Sequence, residues 1–157
     1  MNHELLQNLT ETMRQHGFRE VENIKDSLDT VLILKRQTIQ TNRAIVVVEP
    51  AQIPINMSEY LKKVRRQVAF KCKFFPFFWG IGIQVVVISN GITKSIIDPK
   101  QFVDKIDNQW AIIQSVFFVD PPEKTYYHAR TWGQIITGEF QNAISKTLSI
   151  HYKFKHV

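Results

Sequence analysis

A chain of 157 residues with 44% hydrophobic and 22% charged residues can bury one core and is too apolar to stay disordered, so residues 1–157 should form a single domain. Its one cysteine, Cys72, excludes an internal disulfide and a cysteine-based zinc site. A net charge of +6 favours a polyanionic partner only where the cations gather on one surface, and the acid-containing amphipathic start lacks a secretory signal's apolar block, which points to the cytoplasm.

Leu5, Leu6, Leu9 and Met13 recur at helical spacing across residues 3–16, and Gly17 is placed to end that helix. Phe18 to Lys25 mixes apolar and charged residues and reads as a weak strand or an irregular connection. Asp26 to Asp29 is turn chemistry. Thr30–Gln37 begins β-rich and ends cationic, and Arg43–Glu49 returns antiparallel to it across a short polar link. The unbroken apolar run Ile45–Val48 indicates a strand covered on both faces. Pro50 and Pro54 frame a loop, after which Asn56 and Glu59 open a helix as a capping pair. Its buried stripe is Leu61, Val64, Val68 and Cys72.

Beyond that helix lies the most apolar stretch. Phe74 to Ile88 spans 15 residues, fewer than the roughly 18–20 of a membrane helix, and Pro76, Gly80 and Gly82 interrupt it. No membrane span is expected, and Ile83–Ser89 reads as a buried strand. Asn90-Gly91 signals a two-residue turn, with Ile92–Ile97 pairing back as a hairpin. Asp98-Pro99 starts a helix carrying Phe102, Val103, Ile106 and Trp110. Ser115–Val119 and Thr125–Arg130 form a second hairpin around Asp120–Lys124. Phe140, Ala143, Ile144 and Leu148 mark a final helix, and His151–Val157 is a basic, frayed tail. The sum is an α/β domain with a mixed central sheet flanked by helices. Its order is αβββαβ followed by a hairpin, a helix, a hairpin and a C-terminal helix.

Three groups of residues could carry function. Lys62, Lys63, Arg65 and Arg66 lie largely off the buried stripe of the helix opened by Asn56. With Lys35 and Arg36 they form a candidate binding face, which would track a phosphate backbone without sequence selectivity and with steep salt dependence. The plainer reading is a solvated helix face. The aromatic run Phe74–Trp79 packs into the core, forms a homodimer interface centred on Phe77, Phe78 and Trp79, or stacks bases. The five histidines are scattered and lack HExxH spacing, so no zinc site is expected. His128 alternates with Tyr126 and Arg130 onto one strand face, either a small polar pocket or an ordinary exposed surface. There is no phosphate loop, nucleophile elbow or dinucleotide fingerprint.

The third group is a pair of acids. Asp29 opens the second strand and Glu49 closes the third, 20 residues later. With the order helix, three strands, helix, strand over residues 3–89, this pattern resembles the restriction-endonuclease-like (PD-(D/E)xK) fold. The resemblance implies that both carboxylates hold Mg²⁺, which generates the attacking hydroxide and neutralises the phosphate. It also requires a lysine two residues after the second acid. The chain reads Glu49-Pro50-Ala51 there, leaving Gln52 or Lys35 as the residues that could stand in. The departure implies a degenerate site; on the plainer reading Asp29 is a turn residue and Glu49 a solvated strand end. The expected function is non-catalytic binding, with nucleic acid as partner and no cofactor. The alternatives are a nuclease using Mg²⁺ at Asp29 and Glu49, and an assembly module working through the aromatic surface.

Overall fold

The computed structural model describes residues 3–22, 24, 29–39, 41–74, 80–97, 111–130 and 134–156, with residues 94 and 134–139 described by backbone only. Among the described residues, seven strands form one mixed sheet in sequence order. β1 (Arg19–Glu20), β2 (Thr30–Gln37) and β3 (Asn42–Val48) are antiparallel neighbours. Helix α2 (Met57–Cys72) then carries the chain to β4 (Ile81–Ile88), parallel to β3. After the short helix α3 (Lys94–Ile97), β5 (Ala111–Asp120) adds parallel to β4, and β6 (Thr125–Arg130) turns back antiparallel. Helix α4 (Gln134–Ser149) leads to β7 (Lys153–Phe154), parallel to β6.

Helices cover both faces, and the sequence shows why. Consecutive strand residues point to opposite faces, so a strand buried twice must be apolar at every position. In β3, Ala44, Val46 and Val48 pack toward α2, while Ile45 and Val47 pack toward α1 (His3–Gln15) and α4. β4 repeats the division with Val85 and Val87 on one side and Val86 and Ile88 on the other. Helix α1 buries Leu5, Leu9 and Met13, and Gly17 closes it at φ +82°, a conformation that costs glycine least. Helix α2 starts as expected: the Asn56 side chain accepts a hydrogen bond from the Glu59 amide at 3.1 Å. No helix among the described residues is long and apolar enough to cross a membrane.

Two expectations are corrected. Ile92–Ile97 does not return as a strand. β4 already has β3 on one edge and β5 on the other, so neither edge is left for a hairpin partner. The Asn90-Gly91 turn instead delivers Ile92, whose amide donates to the Asp120 carboxylate at 3.0 Å, and residues 94–97 coil into α3. The C-terminal tail is not frayed either. Tyr152 is buried, the Lys153 amide donates to the Lys124 carbonyl, and the Lys155 amide donates to the Tyr126 carbonyl. The expected helix after Asp98-Pro99 lies outside the described residues, as does the proposed interface of Phe77, Phe78 and Trp79.

Candidate nucleic-acid interface

The six expected cations do not form one surface. Arg65 is buried, at 5% exposure, because it lies four residues after Leu61 and three before Val68, on the edge of the core-facing stripe of α2. Lys35 points to the α2 side of the sheet, where its Nζ donates to the Cys72 carbonyl at 2.9 Å and satisfies the last turn of the helix. Arg36 lies on the opposite face, its guanidinium 5.3 Å from the centroid of the Phe140 ring. Lys62 pairs with Glu59 one turn back at 3.1 Å. Lys63 and Arg66 remain exposed.

These two belong to a different stripe from the one the sequence suggested. Lys63, Arg66, Phe70 and Lys73 follow each other at steps of three, four and three, so they share one side of α2. All four are exposed, and Phe70 retains 74% of its surface. Lys73 ends the helix in the left-handed conformation at φ 45°. The stripe is about 15 Å long at a rise of about 1.5 Å per residue. A phenyl ring with that exposure costs hydration free energy unless something covers it. Sequence reading passed over Phe70 because it took the aromatics from Phe74 onward as the group of interest; helical spacing from Lys63 and Arg66 was the available signal.

The acid pair does come together. The Glu49 amide donates to the Asp29 carbonyl at 2.8 Å, so the residues face each other across the β2–β3 ladder. Asp29 sits at φ 48°, a conformation that aspartate tolerates better than most residues, and its carboxylate accepts from the Tyr60 hydroxyl at 3.3 Å. Burial, then the neighbouring Asp29 charge, pushes the Tyr60 pKa well up, which keeps it a hydrogen-bond donor. Two clefts open here. Asp29 lines one of about 530 Å³ with Glu59, Tyr60 and Lys63. Glu49 lines its neighbour of about 580 Å³ with Ser89, Asn90 and Pro121, at the carboxyl ends of β3, β4 and β5. Pro50, Ala51 and Gln52 line both.

The carboxylates line different clefts, and among the described residues no group of three His, Cys, Asp or Glu side chains could hold a metal ion. Of the two stand-ins for the missing lysine, Gln52 is at the acid edge, whereas Lys35 lies near the far end of β2. Lys63 brings a cation from α2 into the Asp29 cleft, so the exposed stripe runs up to the acid edge. Cys72 is no nucleophile: burial pushes its thiol up to about 12 despite the nearby Lys35 charge. Comparison with known proteins returns no matching family model, no matching curated protein and no matching solved structure.

Proposed function

We propose that the chain is a non-catalytic nucleic-acid-binding protein of the cytoplasm that takes a single strand along α2. The observation that carries this reading is Phe70, 74% exposed, set between the exposed cations Lys63, Arg66 and Lys73. A flat aromatic face accepts any base, and cations on either side of it meet the phosphates of the same strand. At about 3.4 Å per nucleotide of one B-form strand, the stripe matches about four nucleotides. The net charge of +6 favours the encounter. Stacking on one ring with phosphate contacts on either side accepts any base, so the binding is selective for strandedness and not for sequence.

The test is fluorescence anisotropy with labelled single-stranded and duplex oligonucleotides, DNA and RNA, for the natural chain and Phe70→Ala. The single strand should bind more tightly than the duplex. Phe70→Ala should cost about 1–3 kcal/mol on the single strand, the usual worth of one stacked base, and far less on the duplex. Equal losses on both would remove the stacking role. If Phe70→Ala instead changes the molecular mass in solution and leaves binding intact, the ring belongs to a subunit contact and the assembly reading takes over.

A further inference from the structure

The α2 stripe does not stop at Lys63. That side chain also lines the cleft of about 530 Å³ into which Asp29 brings its carboxylate, so a strand lying along the stripe arrives at the cleft. Lys63 is seven residues from Phe70, about 10 Å at about 1.5 Å per residue, or about three nucleotides at about 3.4 Å each. We propose that this cleft is a base-reading pocket, in which Asp29 takes the Watson–Crick edge of one guanine at the end of the strand held by Phe70 and its neighbouring cations. The pocket rests on single-strand binding along α2 and adds to it a preference at one position.

Three observations carry it. First, charge decides which part of a nucleotide enters. Asp29 and Glu59 both line the cleft and repel a phosphate, whereas the exposed Lys63 attracts one. The phosphate stays with Lys63 and the base turns inward. Second, the Asp29 carboxylate is held and presented. Tyr60 is buried, burial keeps its hydroxyl protonated, and that hydroxyl donates to Asp29 at 3.3 Å. A carboxylate has about four lone-pair sites, so accepting from Tyr60 still allows a pair of parallel bonds, and Asp29 itself is exposed. Glu59, by contrast, is paired with Lys62 at 3.1 Å. Third, Pro50, Ala51 and Pro54 supply apolar surface for the flat faces of a purine, and the volume lies within the range of about 300–1,000 Å³ usual for small-molecule pockets.

The chemistry of the base follows from the carboxylate. An ionised carboxylate only accepts, so the edge that matches it offers two adjacent donors. Guanine does, with its ring N1–H beside its exocyclic N2 amino group. Adenine and cytosine set one amino group beside a ring acceptor, and thymine and uracil flank a single N–H with two carbonyls that a carboxylate repels. Two parallel charge-assisted bonds are the strong arrangement, the same one that a carboxylate makes with a guanidinium. Gln52, which lines the same cleft, carries amide hydrogens for the guanine O6 beside N1–H. Single-stranded bases are free to be read on this edge, whereas in a duplex it is occupied by the pairing partner.

The experiment is fluorescence anisotropy of the full chain at low salt with labelled thymidine pentanucleotides carrying guanine, hypoxanthine, adenine or cytosine at one end or the other. Guanine at one end should bind about tenfold more tightly than adenine or cytosine there, the worth of one bidentate base contact. Hypoxanthine, which lacks the N2 amino group, should lose most of that gain, and it reads the contact without altering the protein. Asp29→Asn, whose side chain suits the same left-handed backbone, should abolish the guanine preference without weakening the all-thymidine strand. Phe70→Ala should weaken every oligonucleotide alike and leave the preference in place. Guanine no tighter than adenine and cytosine at either end, hypoxanthine equal to guanine, or a preference that survives Asp29→Asn would overturn the pocket while leaving binding along α2 standing. No binding of the all-thymidine strand would remove both. Unlabelled guanosine monophosphate competing as well as the guanine oligonucleotide would overturn the assignment to a strand end and give the cleft to a free nucleotide.

Discussion

Replacing Lys35 by methionine separates a structural cation from a ligand-binding one. Its Nζ donates to the Cys72 carbonyl at 2.9 Å, at the end of α2 where backbone carbonyls lack partners and the helix dipole is negative. A hydrogen bond from a charged donor is worth about 1.5–3 kcal/mol, and a cation at a helix C-terminus adds about 0.3–1 kcal/mol. Lys35 is only half-buried, so solvent screening takes back part of this and about 1–2 kcal/mol is the expected net loss. Methionine keeps most of the apolar stem that packs along the sheet. In a domain of this size that loss lowers Tm by about 2–8 °C. Urea unfolding should show a lower midpoint with an unchanged slope. Binding of single-stranded DNA at fixed temperature below both transitions should be the same for Lys35→Met and the natural chain. Unchanged stability, or weaker DNA binding with a shallower salt dependence, would refute the assignment of Lys35 to the helix end.

Two further outcomes follow from the clefts and the α1/α4 face. His128 has its pKa lowered to about 4 by burial and then by Arg130, below the ordinary value of 6.5, so the folded chain favours the neutral ring. The stability from keeping it neutral is present above pH 6.5 and is lost as pH falls toward 4. His128→Phe, which keeps the stack on Phe117, should flatten the stability curve between those pH values; parallel curves would assign the pH dependence elsewhere. Adding Mg²⁺ at constant ionic strength should change neither Tm nor DNA length on a gel, because Asp29 and Glu49 line separate clefts. Metal-dependent cleavage abolished by Glu49→Ala would reverse that conclusion.

Much of the architecture was legible because burial on two faces leaves a plain trace. Ile45–Val48 and Ile83–Ile88 are almost wholly apolar, and each lies in a strand with helices above and below. The Asn56 cap and the Gly17 stop are local chemistry, and both stand where the sequence put them. The failure at Ile92–Ile97 has a physical cause: an Asn-Gly turn favours a hairpin only where the preceding strand has a free edge, and strand order is a long-range property. The basic face failed for another reason. Counting cations on a helix ignores their angle, and Arg65 sits at core spacing from Leu61 and Val68. Alternation placed His128 and Arg130 on one face, but only the register across β4 and β5 brings Gln84 and Ser115 into line with Arg130.

The salt dependence of single-strand binding tests the α2 stripe most directly. Three exposed cations, Lys63, Arg66 and Lys73, should give a slope of log K against log salt of about −2.1, at about −0.7 for each phosphate neutralised on a single strand. In the double variant Lys63→Ala/Arg66→Ala one of the three remains, and the slope should fall to about −0.7. Absence of binding at low salt, or the same slope in both proteins, would contradict a strand lying along α2.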